Sequence, residues 1–515
     1  MSAWNIDLQW DGRRWAWSDL AVEVREDMDV MAGRPVYRPR RFTFEAPAGD
    51  ILSWMRAGHT TATARCVVRF GDRILSTSPI TAIEPGHAGQ TTVFTVAEEP
   101  AVDVATIPPE HDMAVRRLDK EATQQDEERW QQEFEEKLNL LYDVMPTRPL
   151  NYEIQVLPPM ALYADEIIGQ TYTMVFGKPG EGDTACYPGA MIDTSTKSLM
   201  IAGHQVNAGT VVVLVANGET VQSAEFTVLH RRDEQGRVIA YVDLAEVTDY
   251  PATDDLEYSV AFNGTASGLP GNAADVLRTL VSLTRGVRVD VASVATLRGR
   301  LSGWYLSRFV NAKASPWQMM MEELLPLMPV ACVPTPWGAG FVYIDLEATA
   351  ADAKLSIDVG PSFAPRWDRF KLDTAASSIT TAWNLRYGLR MRKNGPSYRE
   401  AVRLDPDTSG VSAAASSANG YLVDQIDTPW AYRSSTASLM ARHLLRRTSV
   451  RRPALDYQAR PEVYGVEGTH PLLHGDIVQI NDPQRNFVGV VMIVGGIRRY
   501  GEDLRVTLYP VNLGV

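Results

Sequence analysis

Residues 470–515 read HPLLHGDIVQINDPQRNFVGVVMIVGGIRRYGEDLRVTLYPVNLGV, and the fold of the whole chain turns on how they are taken. Three runs rich in Val, Ile and Leu are separated by two clusters of turn-formers, one at Asn481-Asp482-Pro483 and one around Gly501. This is the pattern of strands joined by tight turns. The stretch holds no residue set suited to chemistry, so it reads as a building module.

Working outward, the same pattern recurs. In RFTFEAP, Phe42 and Phe44 alternate with Thr43 and Glu45, the period of two expected of a strand with one buried face. Gly71-Asp72 lies between two apolar runs as a hairpin signal, and a second glycine turn near Pro85-Gly86 precedes TTVFTV. Residues 1–105 therefore predict an N-terminal β-barrel domain. Residues 106–148 change character: EHDMAVRRLDKEATQQDEERWQQEFEEKLNLLYDVMP lacks glycine and is mainly acidic. Trp130, Phe134, Leu138 and Leu141 fall at helical spacing, so an acidic helical insertion or linker is expected.

Strand signals resume over 149–270, where Ala216-Asn217-Gly218 separates two apolar runs. Over 271–350 a helix-plus-hairpin domain is expected. NAADVLRTLVSLTRG sets Val276, Leu277, Leu280 and Leu283 on one face. In ASPWQMMMEELLPLMP, Ser315 reads as N-cap, Pro316 as the first helical residue and Gln318 as the return arm of a capping box. A hairpin around Trp337-Gly338 follows. Residues 351–515 predict a C-terminal β-barrel domain with one helix, in which Met440, Leu444 and Leu445 face inward. The fold class is thus mainly β (α+β): several small barrels or sandwiches with helical inserts.

The totals agree. A chain of 515 residues exceeds one hydrophobic core, and about 150 residues per domain gives about three to four. A net charge of -13 argues against a nucleic-acid footprint over the whole surface. The N-terminus carries no apolar signal core, and no run approaches the ~18 apolar residues of a membrane span. Cys66, Cys186 and Cys332 have no paired spacing, which favours neither disulfides nor a zinc knuckle.

Candidate chemistry is sparse. His470 and His474 stand four apart, but Pro471 and Gly475 oppose the helix a zinc hydrolase needs. FGKPGEGDTACYPG is glycine-rich without the Gly-Lys-Ser/Thr ending of a phosphate loop. The acids Asp249, Asp254, Asp255 and Glu257, and Asp405 with Asp407, lack EF-hand spacing. LLRRTSVRRPA is the one concentrated basic patch and reads as a helix end. Trp15 and Trp17 alternate with Arg14 and Ala16, either as a sugar-stacking face or as the buried face of a strand. No catalytic residue, cofactor or metal is expected.

The order of features in the last third adds a resemblance. IDTPWAY leads into the helix STASLMARHLLRR, then VRRPALDYQARPEVYG, LLHGDIVQINDP and VGVVMIVGGIRRYGEDLRVTLYP. This order resembles the hub proteins at the tip of long bacteriophage tails, the tail-hub or baseplate-hub family with its gene-transfer-agent relatives. The matching positions are Gly475, Asp476, Asp482, Pro483, Gly501 and Leu504. The likeness spans about residues 150–515 and is compatible over 1–105; the helical stretch 108–145 departs from it. It implies a homotrimeric ring at the virion tail tip, made in the host cytoplasm. Its neighbours would be the distal tail protein, the tape measure protein and a central fibre or spike. DNA would meet it only in transit, and no stable membrane insertion is implied. Interface residues expected on this reading are Trp130, Phe134, Asp476, Asp482 and Arg498. The alternatives are a tail-tip wall-degrading enzyme, a carbohydrate- or receptor-binding protein, or a β-rich cellular protein of unrelated role.

Overall fold

A computed structural model describes residues 4–31, 37–70, 73–87, 91–97, 155–156, 174–178, 187–188, 190–193, 198–217, 220–223, 226–232, 238–243, 256–262, 269–284, 287–310, 314–360, 363–365, 379–392, 395–404, 416–417, 420–450, 452–459, 472–500 and 503–511. The expected acidic helical segment with Trp130 and Phe134 lies outside these residues. So do Cys186, Asp249, Asp254, Asp255, Asp405, Asp407 and His470. The described chain is mainly β, as expected, in several small sheets with few helices.

The first unit runs β1 (Trp4–Trp10), β2 (Arg13–Leu20), β3 (Val22–Asp29), β4 (Arg41–Ala46), α1 (Gly49–Arg56), β5 (Arg65–Phe70), β6 (Arg73–Ser76), β7 (Ile80–Pro85) and β8 (Thr92–Ala97). Alternation buries Ile6, Leu8 and Trp10 of β1 and Phe42, Phe44 and Ala46 of β4. Phe44 stacks on Phe94 with ring centroids 5.2 Å apart. Phe70 pairs with Arg73; the expected Gly71-Asp72 turn lies outside the described residues. Helix α1 was not expected: two turns with Ile51 inward are too short for a helical period to register.

The middle strands are β9 (Gln155–Val156), β10 (Met174–Phe176), β11 (Tyr187–Pro188), β12 (Ala190–Asp193), β13 (Ser198–Ala202), β14 (Val212–Asn217), β15 (Thr220–Ser223), β16 (Thr227–Arg232), β17 (Val238–Asp243) and β18 (Leu256–Ala261). All but β10 form two sheets, β11-β18-β14-β15 and β12-β13-β17-β16-β9, while β10 pairs the strand Arg308–Val310. Ile201, Val213, Ala240, Val242 and Phe262 share a core with Val175 and Phe309.

Helices α2 (Ala273–Leu283) and α3 (Val291–Arg300) follow, then β19 (Arg308–Val310). Asn272 caps α2, accepting from Ala274 N–H at 3.0 Å, and Asp290 caps α3 through Ala292 N–H at 3.0 Å. Ser315 accepts from Gln318 N–H at 3.2 Å, as expected of an N-cap. The helix it starts is irregular: one α-turn at Pro316–Gln318, a π-turn at Met319–Leu324 and a 3-10 turn at Leu325–Leu327. Pro326 has no N–H for the carbonyl one turn back, so the regular ladder cannot continue there. Of the face Trp317, Met321, Leu324, Leu325 and Met328 expected from the apolar spacing, all but the partly buried Trp317 are buried with α2, and Met319 and Met320 are buried as well.

Strands β20 (Val330–Thr335) and β21 (Gly338–Tyr343) meet across Pro336-Trp337, one residue earlier than the sequence suggested. Gly338 sits at φ +127°, where a Cβ would come within 2.2 Å of the Arg288 carbonyl oxygen.

The last unit holds β22 (Leu355–Asp358), β23 (Phe363–Pro365), β24 (Ala382–Arg392), β25 (Gly395–Leu404), β26 (Val423–Asp427), α4 (Ser434–Thr448), β27 (Leu455–Ala459), β28 (Ile477–Asp482), β29 (Phe487–Tyr500) and β30 (Asp503–Pro510). Met440, Leu444 and Leu445 of α4 are buried in the large core, which also takes Trp383 and Leu385 of β24. The closing strands pair as their sequence indicated: β28 with β29, and β29 with β30 from Met492↔Pro510 to Tyr500↔Asp503.

One connection crosses the boundaries drawn from sequence. β3 pairs β4 through Val22–Arg25 and β29 through Arg25–Asp29, so the sheet runs β23-β27-β30-β29-β3-β4-β8-β7. The first and last units thus share a sheet of ten strands, since β28 also pairs β29 and β22 pairs β28. Periodicity reports which face of a strand is buried, not which distant strand lies beside it.

Candidate functional site

Three of the five residues expected at interfaces lie in the closing module. Gly475 turns the chain at φ +80°, and Asp476 follows with 5% exposure. Its carboxylate accepts from Leu473 N–H at 2.8 Å and from Lys354 Nζ at 2.5 Å, tying the start of β22 to β28. Asp482 is fully buried. It accepts from Tyr457 Oη–H at 3.0 Å and from Arg485 N–H at 3.2 Å, capping the 3-10 turn Pro483–Arg485. The Arg485 guanidinium lies over the Tyr457 ring at 5.0 Å. Burial, reinforced by the Asp482 charge, raises the Tyr457 hydroxyl pKa. Both aspartates thus hold turns of their own module.

Arg498 stands on β29 at the seam between the first and last units. Its Nε donates to Asp27 Oδ1 of β3 at 2.9 Å, while Arg38 donates to the other carboxylate oxygen at 2.8 Å. Other polar groups lie near the seam, beside the buried pair Met28 and Ile497 that is in register across it. Tyr509 Oη donates to Asp29 at 2.6 Å, and Thr507 Oγ1 donates to Asp456 at 2.5 Å. His474 Nε2 lies 3.6 Å from Glu26 Oε1, both side chains 6% exposed, with His474 Nδ1 3.1 Å from the Gly495 carbonyl. The only sequence sign of this seam is the run VEVREDMD in β3, whose apolar residues are threaded with acids. The partners lie as far as 480 positions away.

Two further constellations escaped the sequence reading. Arg308 pairs with Glu323 on the π-turn and lies 5.1 Å from the Trp430 ring centre; Trp430 Nε1 donates to Glu323 at 3.1 Å. Burial pushes the Arg308 pKa down to about 10. In the middle unit, His204 Nε2 accepts from Val175 N–H at 3.0 Å while its Nδ1 faces the Gln205 carbonyl at 2.9 Å. His230 Nε2 accepts from Val206 N–H at 3.1 Å. Burial holds both imidazoles below their ordinary pKa, and His204 is lowered further by His230.

The remaining candidates resolve into packing. Trp15 and Trp17 lie partly buried against the first unit's core. Arg13 covers Trp15 at 4.9 Å and Trp54 at 5.4 Å, and His59 stacks on Trp54 at 3.7 Å. Trp17 packs on Phe44 and Phe94 with ring centroids 6.2 and 5.6 Å away. Gly177, opening the glycine-rich stretch, sits at φ +60° with the Leu306 carbonyl where a Cβ would be. Cys66 and Cys332 are buried thiols, and burial raises the Cys66 pKa. Among the described residues no group of three His, Cys, Asp or Glu is placed to hold a metal, and no helix is long and apolar enough to cross a membrane.

No family model matches the chain, and no curated protein matches it. Solved structures do align over nearly its full length. A 43 kDa tail protein of prophage MuSo2 from Shewanella oneidensis aligns over 98% of this chain and 97% of its own, with 9% identity and a TM-score of 0.37. A tail protein from Neisseria meningitidis MC58 aligns over 99% and 97%, with 7% identity and a TM-score of 0.35. The phage P2 baseplate in its activated conformation with Ca aligns over 67% of this chain, with 9% identity and a TM-score of 0.18. At these identities and scores the likenesses assign no role to this chain.

Proposed function

We propose that the chain is the structural hub of a bacteriophage tail tip or baseplate. Three copies form a ring that closes the tail tube, with β units stacked around a channel that opens for DNA at ejection. The distal tail protein and the end of the tape measure protein lie on one side, and a central fibre or spike on the other. DNA touches the ring only in passage, and the assembled location is the virion tail tip.

The observation that carries this reading is the shared sheet. A hub must hold separate β units in fixed relation, and one strand, β29, hydrogen-bonds strands of the first unit and of the last. The order of features from IDTPWAY to the closing strands supports the same family. Among the described residues, sheet edges at β7, β23, β2 and β6 offer backbone groups that a neighbouring copy can pair, and a closed ring stops such pairing from propagating. Asp476, Asp482 and Arg498 are proposed to serve contacts indirectly, by fixing β28 against β22 and β27 and β29 against β3; Trp130 and Phe134 are proposed as a docking stripe for a neighbouring protein. A net charge of -13 suits a channel that DNA crosses without binding, since few cations meet its phosphates.

The test is native mass by light scattering with negative-stain images of the same sample, alone and mixed with the distal tail protein. Three copies around a central hole support the hub. A chain that stays monomeric in both samples overturns it.

A further inference from the structure

Strand β10 stands between two cores. Met174 and Phe176 belong to the large core shared by α2 and α4, while Val175 between them belongs to the core of the middle unit. Its partner β19 divides in the same way, with Phe309 on the middle side and Val310 on the other. The Val175 N–H donates not to a strand but to Nε2 of His204, at 3.0 Å. His204 begins the loop 203–211, which returns Val206 and Val211 to the middle core. The Val206 N–H in turn donates to Nε2 of His230 on β16, at 3.1 Å. One loop is thus pinned to β10 and to β16 by two imidazoles, each acting as an acceptor.

An imidazole accepts only through an unprotonated nitrogen. In His204 the other nitrogen, Nδ1, faces the Gln205 carbonyl at 2.9 Å and must carry the hydrogen, so an added proton has only Nε2 to go to. There it would meet the Val175 N–H head-on. The two rings lie close enough for the charge of His230 to act against protonation of His204. The other charged or titratable side chains described on the surrounding elements are Lys178 after β10, Arg308 on β19, Tyr241 on β17 and Tyr432 before α4. None is a carboxylate, so among the described residues a protonated ring meets no opposite charge there. Both rings keep partial exposure, and solvent protons reach them. We propose that His204 and His230 are the two pins of an acid-released latch: protonation frees the loop 203–211 from β10 and β16 and loosens the middle unit from the strand pair β10–β19. Burial depresses the pKa of both rings in the closed loop, and opening restores their ordinary affinity for protons, so acid favours the open form.

The test is hydrogen exchange by mass spectrometry on the full chain, with each rate divided by the intrinsic rate at that pH. Between about pH 7.5 and about pH 5, two rings that titrate near ~6.5 in the opened loop should raise exchange of the Val175 and Val206 amides on the order of a thousandfold, about thirtyfold per ring. Strands β28, β29 and β30 should keep their protection over the same range. A glutamine side-chain oxygen accepts the same N–H without titrating. His204→Gln and His230→Gln should each cut the response to about thirtyfold at both amides, and the double variant should abolish it. The proposal is overturned by no response in the wild type, a response shared with β28–β30, or one that persists in the folded double variant. It is equally overturned if each single variant changes only its own amide, since two separate hydrogen bonds are not a latch. Should the variants not fold, the wild-type response and its restriction to these two amides decide alone.

Discussion

Asp482 shows how the closing module uses charge. A fully buried carboxylate is tolerable only when its lone pairs are answered; Tyr457 and the Arg485 amide donate to it, and the Arg485 guanidinium supplies an opposite charge 3.8 Å away. Asp482→Ala removes the acceptor of the Tyr457 hydroxyl and of the Arg485 amide and the opposite charge beside the buried Arg485 side chain, and should cost about 3–5 kcal/mol in denaturant unfolding. A loss below 1 kcal/mol would mean that the network is not formed. His204 and His230 supply a second residue-scale expectation. Each accepts a backbone N–H, which only the neutral ring can do. Their folded pKa values are depressed, so below the ordinary value of about 6.5 the unfolded state binds protons that the native state refuses. Stability is therefore full above pH ~6.5 and declines as pH falls below it. His204→Gln should flatten that decline, measured as denaturation midpoint against pH.

Single elements follow their sequence closely where the signal is local. Asp290 caps α3 with two amides, at 3.0 and 3.3 Å, and Asp290→Ala should lower stability by about 1 kcal/mol in thermal melts. Gly338→Ala should cost more, because the φ of +127° and the Arg288 carbonyl both oppose a Cβ. Retention of the wild-type melting temperature would show that the hairpin shifts freely. The cap at Ser315, the closing strands and the inward face of α4 were all legible, since each depends on residues within a few positions. Helix α1 was not, because Ile51 and Trp54 over eight residues set no period. The π-turn was not legible either: MMMEEL reads as ordinary helix, and only its place among Arg308, Glu323 and Trp430 distinguishes it.

At the scale of the molecule, the seam escaped sequence reading altogether. The pairing of β3 with β29, and Arg498 with Asp27, joins positions 471 apart, and no local pattern encodes such a distance. The ion pair is partly exposed and adds little by itself, under about 1 kcal/mol in a double-mutant cycle. The backbone pairing carries the join. Deleting residues 1–30 should therefore destabilise the last unit, seen as faster hydrogen exchange in β29 and β30; unchanged protection there would show that the last unit stands alone.

That join also sets a schedule for synthesis. β3 leaves the ribosome long before β29 is made, and at ~5–20 residues per second the intervening 471 positions take on the order of half a minute to a minute and a half. Through that interval β3 has its pairing with β4 but not its final neighbour, and its outer edge is open to other nascent chains. Translation speed and chaperone supply should accordingly govern the yield of soluble protein more than the stability of the finished fold does.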